Sequence, residues 1–80
     1  MDYSNKGILV MLQDLQRINY GKITMHVSLF LMEESGPLVN GTVFDKNDEP
    51  HNFNFYSFDS DEKHKEEYQK LLELVNETTA

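Results

Sequence analysis

Lys22-Ile23-Thr24-Met25-His26-Val27-Ser28-Leu29-Phe30-Leu31-Met32 is the stretch on which the reading of this chain turns. Ile23, Met25, Val27, Leu29 and Leu31 alternate with Thr24, His26 and Ser28, which is the period of a strand with one buried face. The alternation then takes an unusual turn, because Phe30 and Met32 fall on the polar set. A sheet that joins a core through one face needs polar residues on the other. This strand has apolar surface to spare.

The residues downstream repeat the pattern. Glu33-Glu34-Ser35-Gly36-Pro37 reads as a polar breaker whose Gly-Pro step ends the ladder, and a second strand is expected over about Leu38 to Phe44. Gly41 inside it marks a bulge or a close approach. Asp45-Lys46-Asn47-Asp48-Glu49-Pro50 supplies the next turn, and His51 to Phe58 a third strand in an antiparallel meander.

On either side of the strands the spacing changes to three and four. Ile8, Met11, Leu12, Leu15 and Ile18 give an amphipathic helix over Lys6 to Ile18, with Ser4 or Asn5 as cap and Gly21 suited to a left-handed residue just beyond the end. Gly7 to Leu12 would also suit a short buried strand, since Ile and Val are weak helix formers. At the other end Asp59 or Ser60 caps a helix whose apolar stripe is His64, Tyr68, Leu71, Leu72 and Val75, with a Glu66–Lys70 pair on its surface and fraying after Val75. The expected fold class is therefore α+β: a three-stranded antiparallel meander sheet flanked by an N-terminal and a C-terminal helix (α-β-β-β-α). All 80 residues form one domain with an ordered core of about 5–76.

If Ile23, Met25, Val27, Leu29 and Leu31 face the helices with Val39, Val43, Phe53 and Phe55, the opposite surface carries Thr24, His26, Ser28, Phe30, Asn40, Thr42, Phe44, Asn54, Tyr56 and Phe58. Phe30, Phe44, Tyr56 and Phe58, with His26 beside them, are the candidate protein-binding residues, for a heterologous partner or for self-association. Two arrangements would remove that surface: helices on opposite faces of the sheet, or a bulge rotating Phe30 inward.

Fourteen acidic against seven basic residues give a formal charge of −7, which disfavours a nucleic-acid backbone as direct partner. The acidic groups lie at Glu33 and Glu34, at Asp45, Asp48 and Glu49, and at Asp59, Asp61, Glu62 and Glu66. Spaced in this way they offer an alternative function, an acidic inhibitor or nucleic-acid mimic seated in a basic groove. The plainer reading is that loops and helix starts are acidic because they are solvated.

Chemistry finds little support. Asp45-x-Asn47-x-Glu49 begins like a calcium loop, but Pro50 and Tyr56 stand where the turn glycine and bidentate glutamate belong. His26, His51 and His64 lack zinc spacing, and Ser28, Ser57 and Ser60 lack the glycines of a nucleophile elbow. No cofactor and no enzymatic activity are expected. With no cysteine, no secretory signal and no apolar run near the roughly 20 residues of a membrane span, a cytoplasmic protein is expected. In its proportions, and through no motif, a short acidic α-β-β-β-α chain resembles small phage and mobile-element proteins that bind and modulate host machinery.

Overall fold

A computed structural model of the chain describes residues 2–34 and 36–80; Met1 and Ser35 lie outside the described residues. Its elements are α1 (Asn5–Ile18), β1 (Thr24–Met32), β2 (Gly36–Phe44), β3 (Pro50–Tyr56) and α2 (Asp61–Thr79), with the strands in the spatial order β1-β2-β3. The fold is α-β-β-β-α as expected, an open antiparallel sheet with both helices packed against one face.

Each helix begins where its cap allows. The Ser4 hydroxyl accepts from Gly7 N–H at 3.3 Å, and the Ser60 hydroxyl from Lys63 N–H at 3.2 Å, satisfying donors that a first helical turn leaves open. Asn19 closes α1, its side chain donating to Leu15 O at 2.8 Å; Gly21 follows two residues later with φ 81°. α2 continues past the expected fraying point at Val75 to Thr79, and over this last turn the Thr78 and Thr79 hydroxyls bond to Leu74 O and Val75 O. The surface partner of Lys70 is Glu67, at 3.6 Å, rather than Glu66.

β2 also starts earlier than the sequence suggests. Gly36 pairs with Met32 and Pro37 with Leu31, so the Gly-Pro step opens the ladder instead of ending it. Gly36, at φ 77°, makes the entry turn in a region that other residues avoid. Pro37 sits near the start of the strand, where its missing N–H costs nothing, and its carbonyl accepts from Ser57 N–H at 3.1 Å and from Asn5. At Gly41, opposite Val27, a side chain would run into the carbonyl of His26 and the ring of Phe53.

Ile8, Leu12 and Leu15 of α1 and Tyr68, Leu71 and Val75 of α2 enclose Met25, Val39, Val43, Phe53 and Phe55. Burial pushes the Tyr68 phenol up, with Tyr3 and Asp14 adding to the shift. At one end of this core His64 is buried, its ring edge-on to Phe55 with centroids 5.7 Å apart. Nδ1 lies 2.6 Å from Tyr3 O and Nε2 2.7 Å from Tyr56 O. Both partners are carbonyl acceptors, so the tautomer of the ring decides which nitrogen donates. Asn5 reinforces the same junction, its amide donating to Phe55 O at 2.7 Å and to Pro37 O at 3.2 Å.

Two substitutions test these ties. His64→Ala is expected to cost about 2–4 kcal/mol, because it leaves a cavity and removes the ring from between the Tyr3 and Tyr56 carbonyls. Gly41→Ala is expected to cost about 1–3 kcal/mol, since backbone carbonyl has no room to yield. Urea midpoints measured by circular dichroism check both.

Candidate protein-binding site

Because side chains alternate, the register fixes what lies on the uncovered face. From one end to the other its rows read Thr24, Phe44 and Pro50; His26, Thr42 and Asn52; Ser28, Asn40 and Asn54; then Phe30, Leu38 and Tyr56, with Met32 beyond Phe30. The middle rows are polar. Thr42 donates to Asn52 Oδ1 at 2.7 Å, and Asn40 Oδ1 is buried without a hydrogen-bond partner among the described residues.

The apolar residues gather at the end next to the β1–β2 turn. Phe58 lies outside β3, in the turn after it, yet returns to stack on Tyr56 with centroids 4.9 Å apart and planes 25° from parallel. Phe30 is 53% exposed and Phe58 68%. Phe30, Met32, Leu38, Tyr56 and Phe58 thus form one cluster on a rigid support. The register separates the other two sequence candidates from it: Phe44 belongs to the row at the far end, and His26 to the polar row beside that. Leu38 was missed as a site residue, although alternation from Asn40, Thr42 and Phe44 places it on this face. Its pairing with Phe30 depends on β2 beginning at Gly36.

β1 departs from expectation on its covered side as well. Met25 is buried and Val27 half-buried, but Leu29 is 50% and Leu31 83% exposed, because the helices stop short of this corner. The second half of β1 is therefore bare on both faces.

The acidic candidates divide between the two ends of the sheet. Glu33 and Glu34 in the β1–β2 turn, and Asp59, Asp61, Glu62 and Glu66 around the start of α2, share the end that holds the aromatic cluster. Asp59 is committed locally, 3.5 Å from Lys63 Nζ. Asp45, Asp48 and Glu49 occupy the opposite end. Asp45 is the hub of its turn, accepting from Asn47 N–H at 2.8 Å and Glu49 N–H at 3.0 Å through Oδ1, with His51 Nε2 2.8 Å from Oδ2. Asp48 takes φ 61° to close the loop. The calcium-like spelling of this segment is thus occupied with a turn, and among the described residues no three His, Asp or Glu side chains are grouped to hold a metal ion.

Comparison of the chain with protein-family models, curated proteins and solved structures finds no match. Among the described residues no helix is long and apolar enough to cross a membrane.

Asp45 yields a pH prediction. The hydrogen bond from His51, followed by that from Glu49 N–H, holds its carboxyl below the ordinary value of 3.8. A folded-state value that is depressed contributes stability present above the unfolded value and lost as the pH falls through the folded one. Acid titration is therefore expected to leave the Asn47 and Glu49 amide resonances unchanged above the ordinary carboxylate range and to shift them below it. Asp45→Asn abolishes that step.

Proposed function

We propose that this chain is a small, non-catalytic accessory or regulatory protein, cytoplasmic in setting, that binds a protein partner through the aromatic end of its open sheet face. The observation that carries the reading is the cluster of exposed Phe30, Met32 and Phe58 with half-buried Leu38 and Tyr56, held ready by strand pairing and by the Tyr56–Phe58 stack. Exposed apolar side chains clustered on one patch mark interaction surfaces, whereas single scattered ones do not. Full burial of such a side chain is worth about 1.5–3 kcal/mol before association costs. The aromatic members, Phe30 and Tyr56 on strands and Phe58 stacked on Tyr56, lose little freedom on binding.

Glu33, Glu34, Asp61 and Glu62 stand at the same end of the sheet. They favour a partner with an apolar centre and a basic rim, for which charge speeds encounter and burial sets lifetime. The separation of Asp45, Asp48 and Glu49 to the far end supports this arrangement over a continuous nucleic-acid mimic. An inhibitor seated in a basic groove would draw on both ends together.

The test is affinity capture from an extract of the cells that encode the chain, comparing wild type with Tyr56→Ser/Phe58→Ser. The double variant, at one half-buried and one exposed position outside the core cluster, is expected to keep its circular dichroism spectrum and to bind the captured protein at least about 30-fold more weakly. Raising the salt is expected to weaken binding only a few-fold. Binding that survives the double variant but disappears in moderate salt would instead establish the acidic-inhibitor reading.

A further inference from the structure

The outer edge of β1 is open where proteins usually protect an edge. Edge strands are ordinarily blunted by charge, proline, a bulge or a covering segment, since their free N–H and C=O groups template pairing with another chain. β1 has none of the first three: Thr24–Met32 contains no Asp, Glu, Lys, Arg or Pro, and its nine residues pair with β2 without interruption. Cover is confined to one end, where Gln16 Nε2 donates to Met25 O at 2.8 Å. Since the Met25 carbonyl is turned away from β2, the two-residue alternation of an antiparallel ladder turns the polar groups of Val27, Leu29 and Leu31 to the same open side. The other edge strand, β3, opens with Pro50, packs beside α2 and gives its Tyr56 carbonyl to His64.

We propose that two copies of this chain join antiparallel through their β1 edges about a two-fold axis at Leu29, making the three strands of each copy one continuous six-stranded sheet. With Met25 O already taken, the segment free to pair is Val27 to Leu31, and its midpoint is Leu29. Val27 then bonds with Leu31 of the other copy, and Leu29 with its own equivalent. On the helix side Leu29 meets Leu29, and Leu31, 83% exposed in the single chain, gains Val27 as neighbour. On the opposite face Phe30 lies beside Ser28 of the second copy.

Charge selects a second copy as the occupant. Each chain carries −7, so most approaches of two copies repel, yet the strand at the join is uncharged. Lys22 precedes β1 and Glu33-Glu34 follow it, so an antiparallel join centred on Leu29 sets Glu34 opposite Thr24 of the other copy, two residues from Lys22 and within the span of two long side chains, and the symmetry repeats the approach. The pairing does not use Tyr56 or Phe58 and stands independently of the partner-binding role.

Light scattering during size exclusion, over a range of concentrations, combined with amide hydrogen exchange, tests this. The wild-type chain is expected to be a dimer at micromolar concentrations and above, with the Val27, Leu29 and Leu31 amides protected in the dimer and losing protection on dilution. Leu29→Lys, at a half-exposed position, is expected to retain the monomer fold and weaken the dimer at least about 100-fold by setting two like charges against each other. Tyr56→Ser/Phe58→Ser is expected to dimerise like wild type. A monomer at every concentration, a dimer whose three amides exchange freely, or a Leu29→Lys dimer of unchanged strength would each overturn the proposal.

Discussion

His64, near the start of α2, ties the distant N-terminal segment to the end of β3. Its ring packs on Phe55 at the core, one nitrogen meets the carbonyl of Tyr3 ahead of α1, and the other meets the carbonyl of Tyr56 at the end of β3. A buried polar ring is tolerated only with its hydrogen bonds made. Satisfying it obliges the N-terminal segment to pass over the end of the sheet, where Asn5 adds bonds to Phe55 and Pro37. The start of α1 is pinned by this junction on the face that the alternation of Val39, Val43, Phe53 and Phe55 chooses for cover.

That choice leaves a deficit. Two helices cover the centre of one face, from Met25 and Val43 to Phe55, and stop before the outer corner where Leu29 and Leu31 emerge. On the other face the same end carries Phe30, Leu38 and Tyr56. Apolar surface thus concentrates at one corner of the molecule, on both sides of a single strand, while the middle rows of the open face are polar. A small domain buries a smaller share of its surface than a large one, and here Leu29, Phe30, Leu31, Met32 and Phe58 gather at that corner while Val10, Ile18 and Tyr20 are exposed elsewhere.

Much of this layout was legible in the residues. Period two in Lys22–Met32 and His51–Phe58, and the three-four spacing of Ile8, Leu12, Leu15 and of His64, Tyr68, Leu71, gave the order of elements and most of the core. The bounds of β2 were not legible, because Gly36-Pro37 is a breaker wherever neighbouring strands need its N–H, and here they do not. Alternation identified Phe30 and Tyr56 as outward residues but not their separation from Phe44, which depends on register. The exposure of Leu29 and Leu31 was hidden for another reason: alternation tells which way a side chain points, not whether a helix reaches it. His64 was readable as a packing residue; its two carbonyl partners come from segments that no local pattern connects.

The separation of those partners along the chain has a kinetic side. The strands form a meander whose turns are short, so sheet pairing closes only small loops. The ties that fix α1 span much more chain, 50 residues from Asn5 to Phe55 and 61 from Tyr3 to His64. Local contacts form sooner than distant ones. On a ribosome, the segment around Tyr3 and Asn5 is synthesised before the sheet yet secured after it, since its anchor on α2 emerges only once the whole sheet has been made.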